Sequence, residues 1–362
     1  MPFGRRSPAA ASPPVRRSRR RLVGEGARSY AFTFAAFILL AAFLSPLIRT
    51  VTVSIKSPQQ IADVHSPIYP ATAETYTYRS RDYDVYHVPI EGATRDLALV
   101  KKGRDSSQFV DPANSDAGLI TWQGSWRTLE PAYRFDPQWQ NYATVWDEIN
   151  YPRLLLNTIA LALIGMVGTV VSCTLVAYGF ARFRFPGRSA LFVLVIATVF
   201  LPGAVTVIPT YTIFAKIGWV GTWLPLLIPA FFANAYDVFL LRQYLMTIPR
   251  EMDEAAAIDG AGPFRTLVSV ILPQAWPVVI AVAIFHVVYS WNDFFGPLIY
   301  LSSTPDLQPL QLGLAQFSGA RIASDPGVVQ AGTIMTLVIP VILFLVFQRA
   351  FMRGVVITGV EK

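Results

Sequence analysis

Charge is scarce in this chain. Of 362 residues, 15% are Asp, Glu, Lys or Arg and 53% are hydrophobic, whereas a soluble domain carries about a quarter charged residues. A mean hydropathy of +0.43 points the same way. Cysteine is almost absent. Cys173 alone excludes an intrachain disulfide and a thiolate metal centre, and its apolar surroundings make it a small packing residue. The three histidines, His65, His87 and His286, lie far apart with no metal-ligand spacing. No Gly-x-x-x-x-Gly-Lys-Ser/Thr phosphate loop, nucleophile elbow or His-Glu-x-x-His is present. The basic excess is no nucleic-acid signature. Much of it lies in the first 30 residues, as Arg5, Arg6, Arg16, Arg17, Arg19, Arg20, Arg21 and Arg28.

Long apolar runs are what the chain has. About 20 apolar residues cross a hydrocarbon core as a helix. Six stretches qualify, at 30–48, 154–180, 190–214, 220–241, 272–301 and 327–347. Carboxylates are nearly absent from them, which argues against a proton relay of the kind coupled carriers use. Asp237, one turn from Arg242, is expected at the membrane interface. Prolines 202, 209, 225, 229 and 340 are expected to kink or interrupt the spans.

Orientation follows the Lys and Arg near span ends. The N-terminus, the Arg182–Arg184–Arg188 loop, the Arg242–Arg250–Arg265 loop and the Arg349–Arg353 tail all read as cytoplasmic. Both termini are then inside. The first apolar run exceeds a signal-peptide core and lacks a good cleavage site, so it reads as a retained span. Residues 1–29 read as a basic disordered tail and 349–362 as a cytoplasmic tail. Residues 49–152 form an external insertion in which acidic residues outnumber basic ones. Its 73–88 stretch alternates Tyr76, Tyr78, Tyr83, Val85 and Tyr86 with polar residues, a strand pattern. Residues 97–100 suggest a second strand, with Gly103 in the next turn. A small β-rich domain is expected there, either contacting a partner or sugar or serving as a lid.

The remaining five-span core, 153–348, holds a cytoplasmic loop at 242–271 with a readable design. Pro249 suits a helix start. Glu251, Asp253 and Glu254 favour the positive end of the helix dipole. Ala255, Ala256 and Ala257 make a strong, thin helix, and Gly260 followed by Gly262-Pro263 ends it. Residue pattern alone allows two readings, a docking helix that meets a partner closely or an ordinary amphipathic loop helix.

Glu254-Ala255-Ala256, three residues, Gly260, nine residues and Val270-Ile271-Leu272-Pro273 resemble the EAA loop of ABC importer permeases, with Val270 in place of the usual isoleucine. Asn157-Thr158, Tyr178-Gly179-Phe180-Ala181-Arg182, Phe239-Leu240-Leu241-Arg242-Gln243, Ile258-Asp259-Gly260-Ala261, Trp291-Asn292-Asp293-Phe294 and Gln348-Arg349 with Gly354 resemble the carbohydrate-uptake, maltose-type second permease. The resemblance covers 139–362 and the first span. It implies an all-α polytopic membrane protein with six transmembrane helices of the type I ABC importer permease fold, carrying the β-rich insertion. It implies a non-catalytic permease subunit, no cofactor on this chain, and ATP bound by a partner ATPase. The implied partners are a second homologous permease, a cytoplasmic ABC ATPase dimer, an extracytoplasmic solute-binding protein and the lipid bilayer, with no nucleic acid.

Under the resemblance, Glu254, Ala255, Ala256, Asp259 and Gly260 dock on the ATPase, and 348–362 lies against it. The polar or aromatic span residues are Asn157, Tyr211, Asn234, His286, Tyr289, Ser290, Trp291 and Asn292. Sugars favour aromatic faces beside hydrogen-bonding groups, so Tyr289, Trp291 and Asn292 are the substrate-path candidates. Each has a packing role as its alternative, and His286 suits a hydrogen bond between helices. The cargo stays open between a sugar or polyol and a peptide, amino acid or anion. A polytopic membrane enzyme or scaffold is the reading from another class.

Overall fold

A computed structural model describes residues 19–63, 66–90, 92–322 and 324–356. The chain divides into two units, Met1–Thr50 and Val51–Lys362. The first helix, α1 (Arg19–Ser54), includes Pro46 and the candidate span Phe32–Ser54. It begins within the stretch expected to be disordered, because Arg, Leu and Ala there are good helix formers that extend the apolar run backwards. His65, residues 1–18 and 357–362 lie outside the described residues.

The insertion between the first two spans starts with the short α2 (Pro58–Ala62). Its strands are β1 (Ala71–Ala73), β2 (Thr75–Tyr78), β3 (Arg81–Ile90), β4 (Ala93–Lys101), β5 (Ser106–Val110), β6 (Leu119–Gln123), β7 (Glu130–Pro131) and β8 (Tyr133–Phe135). Strands β2 to β6 form an antiparallel meander in sequence order, β7 adds to β3, and β1 pairs with β8. The single strand expected at 73–88 is three strands. Arg79 (φ 49°) and Ser80 (φ 65°) make a left-handed two-residue hairpin that alternation without Gly or Asn does not announce. Strand pleating sends Val88, Leu97 and Phe109 to one face with Trp122 and Trp126. Val85, Ala98, Val110 and Ala132 go to the other. Both faces are thus covered, which gives the sheet a core without a disulfide.

The short α3 (Gln140–Glu148) leads into α4 (Tyr151–Arg182), a 32-residue candidate span. Next come α5 (Arg188–Ala197) and α6 (Gly203–Lys216). The third span is therefore broken: Arg188–Phe200 and Gly203–Lys216 meet at 98°. Pro202, at φ −63° and ψ 130°, is extended and cannot continue the helix. The fourth span is likewise in pieces, α7 (Leu224–Leu227), a 3-10 turn at Ile228–Phe231, and α8 (Ala235–Thr247). Pro225 and Pro229 open the first two pieces.

The loop between the fourth and fifth spans is shorter than 242–271. It contains α9 (Glu251–Ile258), and α10 (Pro263–Thr266) already belongs to the next span. A π-helical segment, Leu267–Ile271, joins α10 to α11 (Leu272–Asn292). Pro273 has no N–H for the Ser269 carbonyl, and its ring crowds that carbonyl, which accounts for the wider turn. The fifth span starts nine residues earlier than expected and ends at Asn292, because α12 (Phe295–Leu301) is a separate helix after a break at Asp293 and Phe294. The last helices are α13 (Leu310–Arg321) and α14 (Pro326–Val356). Among the described residues, five helices qualify as spans, or six if the bent pair counts as one. The core runs through Cys173, Ala177, Val238, Leu241, Ile271 and Val282, where α4, α8 and α11 meet.

Candidate functional site

Two places carry the sequence candidates. The first is the loop between the fourth and fifth spans. Its helix α9 is N-capped by Arg250, so Pro249 lies just ahead of the helix rather than inside its first turn. Glu251, Asp253 and Glu254 fill that turn as the dipole favours. The helix ends with Ala261 N–H donating to the Ala256 carbonyl (2.9 Å) and Gly260 N–H to the Ala257 carbonyl (3.1 Å). Gly260 has φ +77°, the left-handed cap that glycine adopts without strain. Its absent side chain would meet no atom of this chain within 4 Å.

The faces of α9 differ. Ala256 is buried, and Met252 and Asp253, four and three residues before it on the same face, are partly buried. Glu254, Ala255, Asp259 and Gly260 are exposed. Four of the five docking candidates thus share the free side, and Ala256 faces the core. The pattern also missed two residues: Ile258 is 87% exposed and Phe264 is 71% exposed. Large apolar side chains bared on a charged loop are the signal that pointed to them.

The second place is a cavity of about 1130 Å³ in the membrane-spanning part. Its wall includes Thr169, Asn234, Asp237, His286, Tyr289, Asp293 and Tyr300, with Gly203, Ala204 and Val207 contributed by α6 after the proline break. His286 Nδ1 lies 2.9 Å from Thr169 Oγ1, joining α11 to α4 as the sequence suggested. Asp237 is not at an interface beside Arg242. It is buried in the first turn of α8, where the Asn234 side chain donates to it at 2.7 Å and accepts its backbone N–H at 2.9 Å. Arg242 points away, over the Phe192 ring at 4.0 Å, and donates to the Phe180 carbonyl. Asp293 accepts the Gly296 N–H at 3.0 Å.

The three substrate-path candidates separate. Tyr289 is 70% exposed and lines the cavity. Trp291 is 4% exposed and packs with Val145, Tyr151, Leu154 and Leu310. Asn292 turns its amide back to the Val288 carbonyl of its own helix. Asn157 is also structural, donating to the Asp306 and Gln308 carbonyls at 2.9 Å each. Asp237 and Asp293 were not among the solute-path candidates, and only the folded chain brings them to one wall.

Broken apolar spans around a cavity, with a thin helix presented on one loop, define a polytopic membrane transport subunit. Residues 171–356 match the family described as the binding-protein-dependent transport system inner membrane component, and the chain belongs to that family. It is 31% identical over 279 residues to an osmoprotective compounds uptake permease protein of Synechocystis sp., covering 76% of this chain and 92% of the relative. It is 34% identical over 211 residues to an sn-glycerol-3-phosphate transport system permease protein of Rhizobium meliloti, covering 58% and 74%. A solved chain of a bacterial ABC transporter involved in the import of the acidic polysaccharide alginate shares the fold. That match has a TM-score of 0.62 and 20% identity over 92% of this chain and 98% of the other. A match of that extent reaches into the sheet insertion. The chain is thus a multi-pass inner-membrane permease with the type I fold.

Proposed function

We propose that this permease works in an ATP-driven importer for a sugar, oligosaccharide or related polyol, by alternating access of the cavity. The observation that carries the cargo is the wall itself, where Tyr289, Tyr300 and Phe285 stand beside Asn234, His286 and two carboxylates. Aromatic faces with hydrogen-bond acceptors suit a hydroxyl-rich solute. Asp237 and Asp293 place carboxyl oxygens on that wall, which can exchange hydrogen bonds with the hydroxyls of such a solute. Tyr289 is the contact residue on this reading. Trp291 and Asn292 hold the helix end that presents it.

The partners are a second homologous permease, a solute-binding protein outside and a cytoplasmic ATPase dimer that binds and hydrolyses the ATP. The ATPase cleft receives the free side of α9 at Glu254, Ala255, Asp259 and Gly260, with Ala256 backing it. Both termini lie in the cytoplasm. The family's binding-protein-dependent class and the exposed Ile258 and Phe264 support this assembly.

Gentle purification of the tagged chain, with mass spectrometry of what accompanies it, tests the assembly. A Walker-type ATPase, a second permease and a binding protein are expected. The recovered binding protein is then screened by thermal shift against neutral saccharides, polyols, amino acids, peptides and anions. Recovery of the chain alone sinks the importer assembly, and a binding protein stabilised by anions or peptides sinks the cargo assignment.

A further inference from the structure

The end of α4 grips the cytoplasmic loop at three points. Tyr178 donates its hydroxyl to the Pro263 carbonyl at 3.2 Å, just after α9. Arg182, the last residue of α4, donates from Nη2 to the Ile248 carbonyl at 3.1 Å, just before α9. Its Nε faces Asp253 Oδ2, in the first turn of α9, at 3.4 Å. Only the third contact reaches α9 itself.

That third contact is unusual in its setting. The Arg182 side chain is 7% exposed and that of Asp253 is 24% exposed. Nε and Oδ2 are both shielded from solvent, and neither completes a hydrogen bond. At 3.4 Å the two atoms are close enough to attract but are not aligned for a hydrogen bond. Two opposite charges in such a place resist separation, since parting them leaves each buried and uncompensated. Water cannot easily replace the lost partner. The pair therefore ties α9 to the end of α4.

What α4 does next is visible higher up. Thirteen residues separate Arg182 from Thr169, roughly 20 Å along a helix. Thr169 lines the cavity and contacts His286 of α11. The helix between them is regular and carries no proline. A push at Arg182 is thus delivered to the cavity wall by one rigid element.

We propose that Arg182 is the positioning residue that couples α9 to the cavity, with the Arg182–Asp253 pair passing displacement of the docking helix to α4. Glu254 and its exposed neighbours serve to hold the ATPase. Arg182 and Asp253, on the opposite side, serve to pass the motion on. Holding and coupling are then separable by mutation. The inference rests on the docking reading of α9.

The test uses the whole complex in proteoliposomes. Ala204→Cys places a thiol on the cavity wall, and the one native cysteine, Cys173, is fully buried. N-ethylmaleimide labelling is timed with and without ATP and vanadate, and phosphate release is measured alongside. With Arg182 present, trapping is expected to change the labelling rate by about tenfold, an ordinary coupling magnitude. Arg182→Met is expected to retain the ATPase and its hydrolysis while the labelling change falls below about twofold. Arg182→Asp combined with Asp253→Arg is expected to restore at least half of the lost response, which a merely structural arginine does not predict.

A full labelling change in Arg182→Met overturns the proposal. So does failure of the reversed pair to restore it, or loss of the ATPase from the Arg182→Met complex, which would make Arg182 part of the seat. If Arg182→Met does not accumulate, Asp253→Asn is held to the same thresholds. Absence of an ATPase from the unsubstituted complex overturns the docking reading itself, a result distinct from all of these.

Discussion

His286 on α11 and Thr169 on α4 face each other at 2.9 Å, and a glycine makes that approach possible. A Cβ at Gly165, one turn before Thr169, would stand 2.5 Å from His286 Nε2. Small residues let membrane helices meet closely and let polar side chains bond across them. Gly165 and Thr169 provide both halves of that arrangement.

Gly165→Val is therefore expected to displace the imidazole, break the contact to Thr169 and destabilise the helix pair by about 1–3 kcal/mol. Thermal unfolding of the purified permease, followed by loss of the monodisperse peak, checks this. His286→Ala in the same chain should recover part of the loss, because the clash and the substitution share one site. Equal stability of Gly165→Val and the unsubstituted protein would contradict the packing described.

At the loop that carries α9, Gly260→Trp is expected to abolish transport while membrane insertion stays normal. A side chain at φ +77° is strained by about 1–2 kcal/mol, and the bulk projects where no atom of this chain stands. Ile258→Asp should weaken ATPase retention without that backbone strain, because the side chain is 87% exposed. Co-purification of the ATPase and uptake assays read both. Normal uptake in Gly260→Trp would remove the docking assignment.

The sheet of the insertion has its own core, so its collapse should leave the spans in place. Val88→Asp puts a carboxylate at a fully buried position beside Leu97 and Phe109, a change large enough to unfold a small domain. Protease accessibility of residues 66–135 is expected to rise sharply, with the membrane-integrated amount unchanged. Loss of all integrated protein would mean that the sheet is required for insertion.

Tyr133 supplies a pH dependence in that sheet. Burial, then its 2.6 Å hydrogen bond to Asp63, raises the phenol well above its usual range. The folded state therefore holds the phenolic proton more tightly than the unfolded chain. The resulting stability is complete below the ordinary phenol pKa of about 10 and is lost as pH rises beyond it. Protection of the sheet from proteolysis should decline above about pH 10. Tyr133→Phe should be less stable near neutrality and flatter at high pH. A Tyr133→Phe profile parallel to that of the unsubstituted protein would exclude this origin.

Much of the molecule was legible in local sequence. Apolar length marked the spans, since a bilayer demands about 20 such residues wherever they occur. Helix α9 was legible because acidic residues, alanines and the Gly260 cap act within a few residues of one another. Residue alternation marked the sheet, but the Arg79-Ser80 turn within it was hidden, because either residue is equally at home in a strand of this composition. Prolines were visible as interruptions, yet nothing local sets a 98° bend after Phe200 or ends α11 at Asn292.

The site divides the same way. Sequence by itself determined the membrane class, the helix α9 and the short roster of polar residues in the spans, because composition, period and caps are local properties. Only tertiary structure decided which roster members face the cavity. Tyr289 and Trp291 are two residues apart on one helix, so they point to different sides, and neighbours on α4, α13 and α14 claimed the tryptophan for the core. Asp237 and Asp293 came to one wall, and Arg182 came to Asp253, through contacts between segments 56 and 71 residues apart. Packing sets such pairings, because a side chain's partners depend on which helices lie beside it.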